Sequence, residues 1–75
     1  MKLKLKGRTL YRPDGTIYAD IDGWRRRWTI FYRLEGETDP YSVLSRGQCG
    51  GFAYFTDAVS HARGMFRQET NSETV

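Results

Sequence analysis

Residues 24–34 read WRRRWTIFYRL, and a strand points successive side chains to opposite faces. Trp24, Trp28, Ile30, Tyr32 and Leu34 therefore share one side, and Arg25, Arg27, Thr29, Phe31 and Arg33 share the other. One face can join a core while the other is basic. This makes the stretch the central strand of a small antiparallel sheet and constrains its neighbours to match the same two faces.

The segment before it does match. Residues 16–21 alternate Ile17, Ala19 and Ile21 against Thr16, Tyr18 and Asp20. Asp22-Gly23 follows, a dipeptide favoured in two-residue hairpin loops because both central positions need positive φ. A turn there sets Ile21 against Trp24, Ala19 against Arg26 and Ile17 against Trp28, with Asp20 and Tyr18 facing Arg25 and Arg27 on the other side. The apolar residues of both strands then share a face, as register selection requires. Arg26 is the one misfit, expected to snorkel to an edge or to pair with a carboxylate.

Upstream, residues 2–12 alternate as a first strand interrupted at Gly7, where a bulge or a later start is expected. Arg12-Pro13-Asp14-Gly15 has the chemistry of a tight turn. Downstream, residues 35–40 form a polar loop, residues 41–45 read as a short fourth strand, and residues 46–51 read as a flexible glycine-rich connection. Thr56 is then a good N-cap, and Ala58, Val59, Ala62, Met65 and Phe66 recur at helical spacing. Gly64 falls on the outer side of that helix. After about Glu69 the apolar pattern stops. The expected fold is α+β, a three- to four-stranded antiparallel sheet with one C-terminal helix on one face, in a single domain over residues 1–69 with a frayed tail at 70–75.

A chain of 75 residues is near the lower limit for folding alone, so its core must use large side chains. Two Trp, five Tyr and four Phe supply them. One Cys and one His exclude an intrachain disulfide and a four-ligand zinc site, so no cofactor or metal is expected. No stretch has the length or apolarity of a membrane span, and a cytoplasmic setting is the expectation. Charge is unevenly spread. Residues 1–34 hold nine Lys or Arg against three Asp, whereas residues 35–75 hold three Arg against six acids. Nine of the twelve cations are Arg, which forks onto phosphate or carboxylate and stacks on flat rings.

The candidate site is the sheet face that the helix leaves uncovered, with Lys4, Lys6, Arg8, Arg25, Arg27 and Arg33 interleaved with Tyr18 and Phe31. Cations there would track phosphates while the aromatic rings stack on bases. The alternative is a solvated face whose charges discourage edge pairing. Residues 47–51 lack the Lys and Ser or Thr that complete a phosphate-binding loop. Cys49 and His61 are the only thiol and imidazole available as nucleophile and base, and no carboxylate pair has a spacing that points to acid and base chemistry, so enzyme activity is not expected.

Three antiparallel strands, a C-terminal helix across one face and basic and aromatic residues on the other make the chain, over residues 8–67, resemble the arm-binding domains of tyrosine integrases and the plant ethylene-response DNA-binding domains. The resemblance implies that the open sheet face enters a DNA groove, and it nominates Arg25, Arg27, Phe31 and Arg33 together with Arg8 and Tyr18. A second class fits a free-standing basic module of this size, namely a phage or mobile-element inhibitor of the anti-CRISPR type that covers an acidic surface on a host protein complex. An unpaired edge strand could add to such a partner's sheet or join a second copy as a homodimer. The expectation is a non-catalytic binding module with nucleic acid ahead of an acidic protein surface as partner.

Overall fold

The computed structural model describes residues 2–72. Five antiparallel strands lie side by side in chain order: β1 (Lys4–Lys6), β2 (Thr9–Tyr11), β3 (Ile17–Trp24), β4 (Arg27–Tyr32) and β5 (Gly47–Phe52). One helix, α1 (Phe55–Ser72), packs on one face against β3, β4 and β5. The fold is α+β as expected, with more strands than the pattern suggested.

Two segments account for the difference. Residues 2–12 form two strands, because the chain reverses at Gly7-Arg8 and pairs Leu5 with Leu10 and Lys6 with Thr9. Residues 41–45, expected as a strand, are loop, and the glycine-rich segment expected to be a loop supplies β5. Ladder hydrogen bonds come from the main chain, so Gly47, Gln48 and Cys49 can complete the edge of β4 opposite Tyr32, Phe31 and Ile30 with little side-chain propensity to announce it. The ladder slips between Trp28 and Ile30, and the bulge is accommodated where Gly51 has φ of 91°.

The β3–β4 hairpin turns at Arg25-Arg26, not at Asp22-Gly23. Both arginines have positive φ, 43° and 61°, the pattern of a type I′ turn built without glycine or asparagine. The longer hairpin pairs Trp24 with Arg27, Gly23 with Trp28, Ile21 with Ile30 and Ala19 with Tyr32. Packing explains the choice. In the expected register Arg26 would occupy the apolar face opposite Ala19; in the observed one it reaches solvent and Ile30 meets Ile21. Gly23 is required inside the strand, because a Cβ there would stand 2.3 Å from the Arg27 carbonyl oxygen and 2.9 Å from the Trp28 ring. Ile21 exchanges Trp24 for Ile30, an even displacement, so most of the division between faces survives the error in the turn. Trp24 and Leu34 do not, since both are exposed instead of lying in the core.

The core joins Leu10, Ala19, Ile21, Ile30 and Tyr32 of the sheet to Ala58, Val59, Ala62 and Phe66 of the helix. The apolar stripe expected of the helix is the stripe that is buried. At one end Leu3 enters the core, and Arg63 Nη1 donates to the Leu3 carbonyl at 2.6 Å. Tyr18, expected on the basic face, belongs to this core. Between β2 and β3 Leu10 faces Ala19 while Tyr11 faces Ile17, which leaves Tyr18 as the bulged residue. Its ring turns toward the helix, 0% exposed, and packs edge-on to Tyr32 at 5.6 Å and to Phe66 at 5.2 Å. Arg46 lies over both tyrosines and pairs with Glu69 at 3.2 Å, tying the start of β5 to the helix. The helix begins at Phe55, just before Thr56, and runs past Glu69 to Ser72. Residues 73–75 of the expected tail lie outside the described residues.

Candidate nucleic-acid interface

The face opposite the helix is laid out by register. Lys6, Thr9, Asp20, Phe31 and Gln48 form one row across all five strands, and Trp24 with Arg27 and Asp22 with Thr29 continue the face toward the hairpin turn. Part of this face is roofed. After β4 the chain makes a loop over residues 33–46 that rejoins the sheet where the Arg46 amide donates to the Tyr32 carbonyl at 2.8 Å.

Arg33 holds that loop. It was expected as an exposed contact residue, but it is only 7% exposed. One guanidinium nitrogen, Nη2, pairs with the Asp20 carboxylate and also donates to the Pro40 carbonyl at 3.3 Å. The other, Nη1, donates to the carbonyls of Ser42 and Leu44. Asp20 is completed by the Thr9 hydroxyl, which donates to its Oδ1 at 2.6 Å. A buried guanidinium needs a counter-charge and acceptors for its fork of donors, and Asp20 with the three carbonyls supplies them at Nη1 and Nη2, while the buried Nε has no partner among the described residues. Arg33 is therefore a structural residue. The loop it anchors presents Tyr41 and Val43 to solvent, 90% and 93% exposed.

Between loop and hairpin lies an open hollow of about 440 Å³. Phe31, Pro40 and Val43 give it apolar walls, and Arg8 and Asp22 stand among its polar groups. Arg8 pairs with Asp22 at 3.5 Å and lies over the Trp28 ring at 5.2 Å.

The hairpin carries the densest charge. β2 last pairs with β3 at Asp20, and β5 last pairs with β4 at Trp28, so residues 24–27 extend beyond both neighbouring ladders. There Trp24 is 71% exposed, the Arg25 guanidinium lies over its ring at 5.5 Å, and Arg26 and Arg27 are exposed beside it. No carboxylate is paired with any of these three arginines among the described salt bridges.

Of the expected site residues, Lys4, Lys6, Arg8, Arg25 and Arg27 are exposed, and Phe31 lines the hollow half-buried. Lys6 lies over the Tyr11 ring at 5.8 Å on the outer strand. Tyr18 and Arg33 are withdrawn into the structure. Trp24 and Arg26 are exposed at the hairpin tip, although alternation places one in the core and makes the other a misfit. The misfit is the signal in the sequence, because a turn at Arg25-Arg26 frees the arginine that a turn at Asp22-Gly23 would bury.

Elsewhere, Cys49 and His61 do meet, with Sγ 3.9 Å from Nε2 on the helix side of β5. The Phe52 ring stacks obliquely on His61 at 5.1 Å. Among the described residues no group of three or more His, Cys, Asp or Glu is gathered to hold a metal ion, and no helix is long and apolar enough to cross a membrane. Comparison with protein families, curated proteins and solved structures finds no match for this chain.

Proposed function

We propose that this chain is a non-catalytic binding module that contacts nucleic acid through the tip of its β3–β4 hairpin, with Trp24 as a stacking platform and Arg25, Arg26 and Arg27 as phosphate contacts. Lys4, Lys6 and Arg8 extend the positive surface along the uncovered face. The observation that carries the reading is the exposed Trp24 beside two arginines held at positive φ. A non-glycine residue in that conformation costs roughly 1–2 kcal/mol, and Asn-Gly would make the same turn more cheaply. Strain retained at an exposed tip supports a role for the side chains themselves. Stacking on indole and pairing of guanidinium with phosphate are the two interactions that single strands and duplex ends offer such a tip.

The test is fluorescence anisotropy of labelled oligonucleotides at about 50 and 200 mM salt, a range over which several phosphate contacts cost orders of magnitude in affinity. Tight binding at the lower salt, a steep salt slope and a loss of affinity in Trp24→Ala are expected. Absence of binding at the lower salt contradicts the reading. That outcome would favour the second one, an inhibitor that docks on a host protein complex, for which the exposed Tyr41 and Val43 on a firmly anchored loop are the supporting observation.

A further inference from the structure

Resting on that reading of the hairpin tip, we infer that the nucleic acid is taken as a single strand and that the hollow between hairpin and loop receives one unpaired base, selected for N–H donors on its pairing edge, with guanine favoured. Three observations lead there. First, the hollow lies on the same sheet face as Trp24. Asp22 is two residues from Trp24 on β3, about 7 Å along the strand, and Phe31 lies opposite Asp20 one step further in. Two aromatic surfaces thus stand in line on one face, about 13 Å apart along the strand, a spacing that suits two bases of an unstacked strand better than the closely stacked bases of a duplex.

Second, the hollow has the character of a base site. Its volume of about 440 Å³ lies within the range of small-ligand pockets, and it offers a half-buried ring with apolar walls and a few polar groups. Third, the polar groups are asymmetric. Asp20 is engaged at both oxygens by Thr9 and Arg33, and its side chain is only 19% exposed. Asp22 is different: its side chain is 75% exposed, its Oδ1 accepts from the Gly23 amide at 2.9 Å, and its only salt-bridge partner among the described residues is Arg8, itself 58% exposed. A carboxylate accepts and does not donate, so it favours a base edge that presents N–H groups. Guanine presents two side by side, whereas thymine and uracil set carbonyl oxygens around a single N–H. Arg8, released from Asp22, would be free to meet a phosphate.

The test compares short single strands of thymine alone with the same strands carrying one central guanine, as DNA and as RNA, together with the corresponding duplexes. Bidentate recognition of a base edge discriminates by about 1–3 kcal/mol, so the guanine strand should bind at least about fivefold tighter than the all-thymine strand, and tighter than its duplex. In Asp22→Asn the ratio of guanine to thymine affinity should fall to near one, because an amide offers one acceptor and two donors. Thermal unfolding of that variant checks that this exposed substitution leaves the fold intact. Equal affinity for the two strands, tighter binding of the duplex, or a preference that survives Asp22→Asn each overturns the inference while leaving the hairpin tip as a phosphate-tracking surface. Failure of every oligonucleotide to bind removes the proposed function and this inference with it.

Discussion

At the scale of single residues, Gly23, Asp20 and the Arg25-Arg26 pair decide how this chain is built. Gly23 lets Trp28 cross the neighbouring strand, so Gly23→Ala should destabilise the domain by about 2–3 kcal/mol in urea unfolding, the cost of forcing a methyl group into packed main chain. Asp20 neutralises buried Arg33, and removing one member of a buried ion pair strands the other charge. Asp20→Ala should therefore lose about 3–5 kcal/mol and raise amide exchange across residues 39–45, where the carbonyls of Pro40, Ser42 and Leu44 share the same guanidinium. Arg25 and Arg26 work in the opposite sense, since they hold a strained turn in exchange for three adjacent exposed cations. Arg33 shows why charge pattern alone could not sort these roles. Alternation put it beside Arg25 and Arg27, and only the loop that wraps it distinguishes a buried anchor from an exposed cation.

At the scale of elements, the helix was the most legible part of the sequence. Its stripe of Ala58, Val59, Ala62 and Phe66 is buried as the spacing requires, because helical periodicity over several turns has few competing explanations. Gly64 has nothing within 4 Å of where a Cβ would stand, so Gly64→Ala should stabilise the protein by about 0.5–1 kcal/mol, read as a rise in the denaturation midpoint. The hairpin was legible in its faces and not in its turn. Asp22-Gly23 has the preferred turn chemistry, but the glycine there serves a close contact between side chain and backbone, a tertiary demand that no local propensity records. The edge strand β5 was hidden for a related reason, since Gly47, Gly50 and Gly51 carry no strand signal and the pairing of Gly47, Gln48, Cys49 and Phe52 comes from the open ladder of β4. Residues 41–45 misled in the other direction, with strand-forming side chains that the anchored loop turns outward.

For the molecule as a whole, the two faces differ in character. The helix side is a small aromatic core sealed at one end by Arg46 over Tyr18 and Tyr32. Burial pushes the Tyr18 phenol well up, with Glu69 adding to it, and burial likewise raises Tyr32 above the ordinary value of 10. Both groups keep their protons longer in the folded chain than in the unfolded one, so their contribution to stability is complete below about pH 10 and is lost as pH rises through their folded values. Urea unfolding at about pH 9 and 11 should show that loss, and Tyr18→Phe should flatten it. The other face gathers the cations that composition located in the first half of the chain, but as a tip and a rim around a roofed centre, not as a continuous basic surface. The candidate site was thus readable in sequence as a charge imbalance, while its shape depended on the bulge that buries Tyr18 and the loop that claims Arg33.

The central claim is that the hairpin tip sacrifices stability for contact, and the double variant Arg25→Asn with Arg26→Gly tests it most directly. Asn-Gly suits a type I′ turn, so unfolding should show a gain of about 1–3 kcal/mol. The same variant should lose oligonucleotide affinity and show a shallower salt dependence, by up to about two phosphate contacts. A variant that is stabilised but binds as the parent does, or that binds less only because it has lost its fold, would contradict the account.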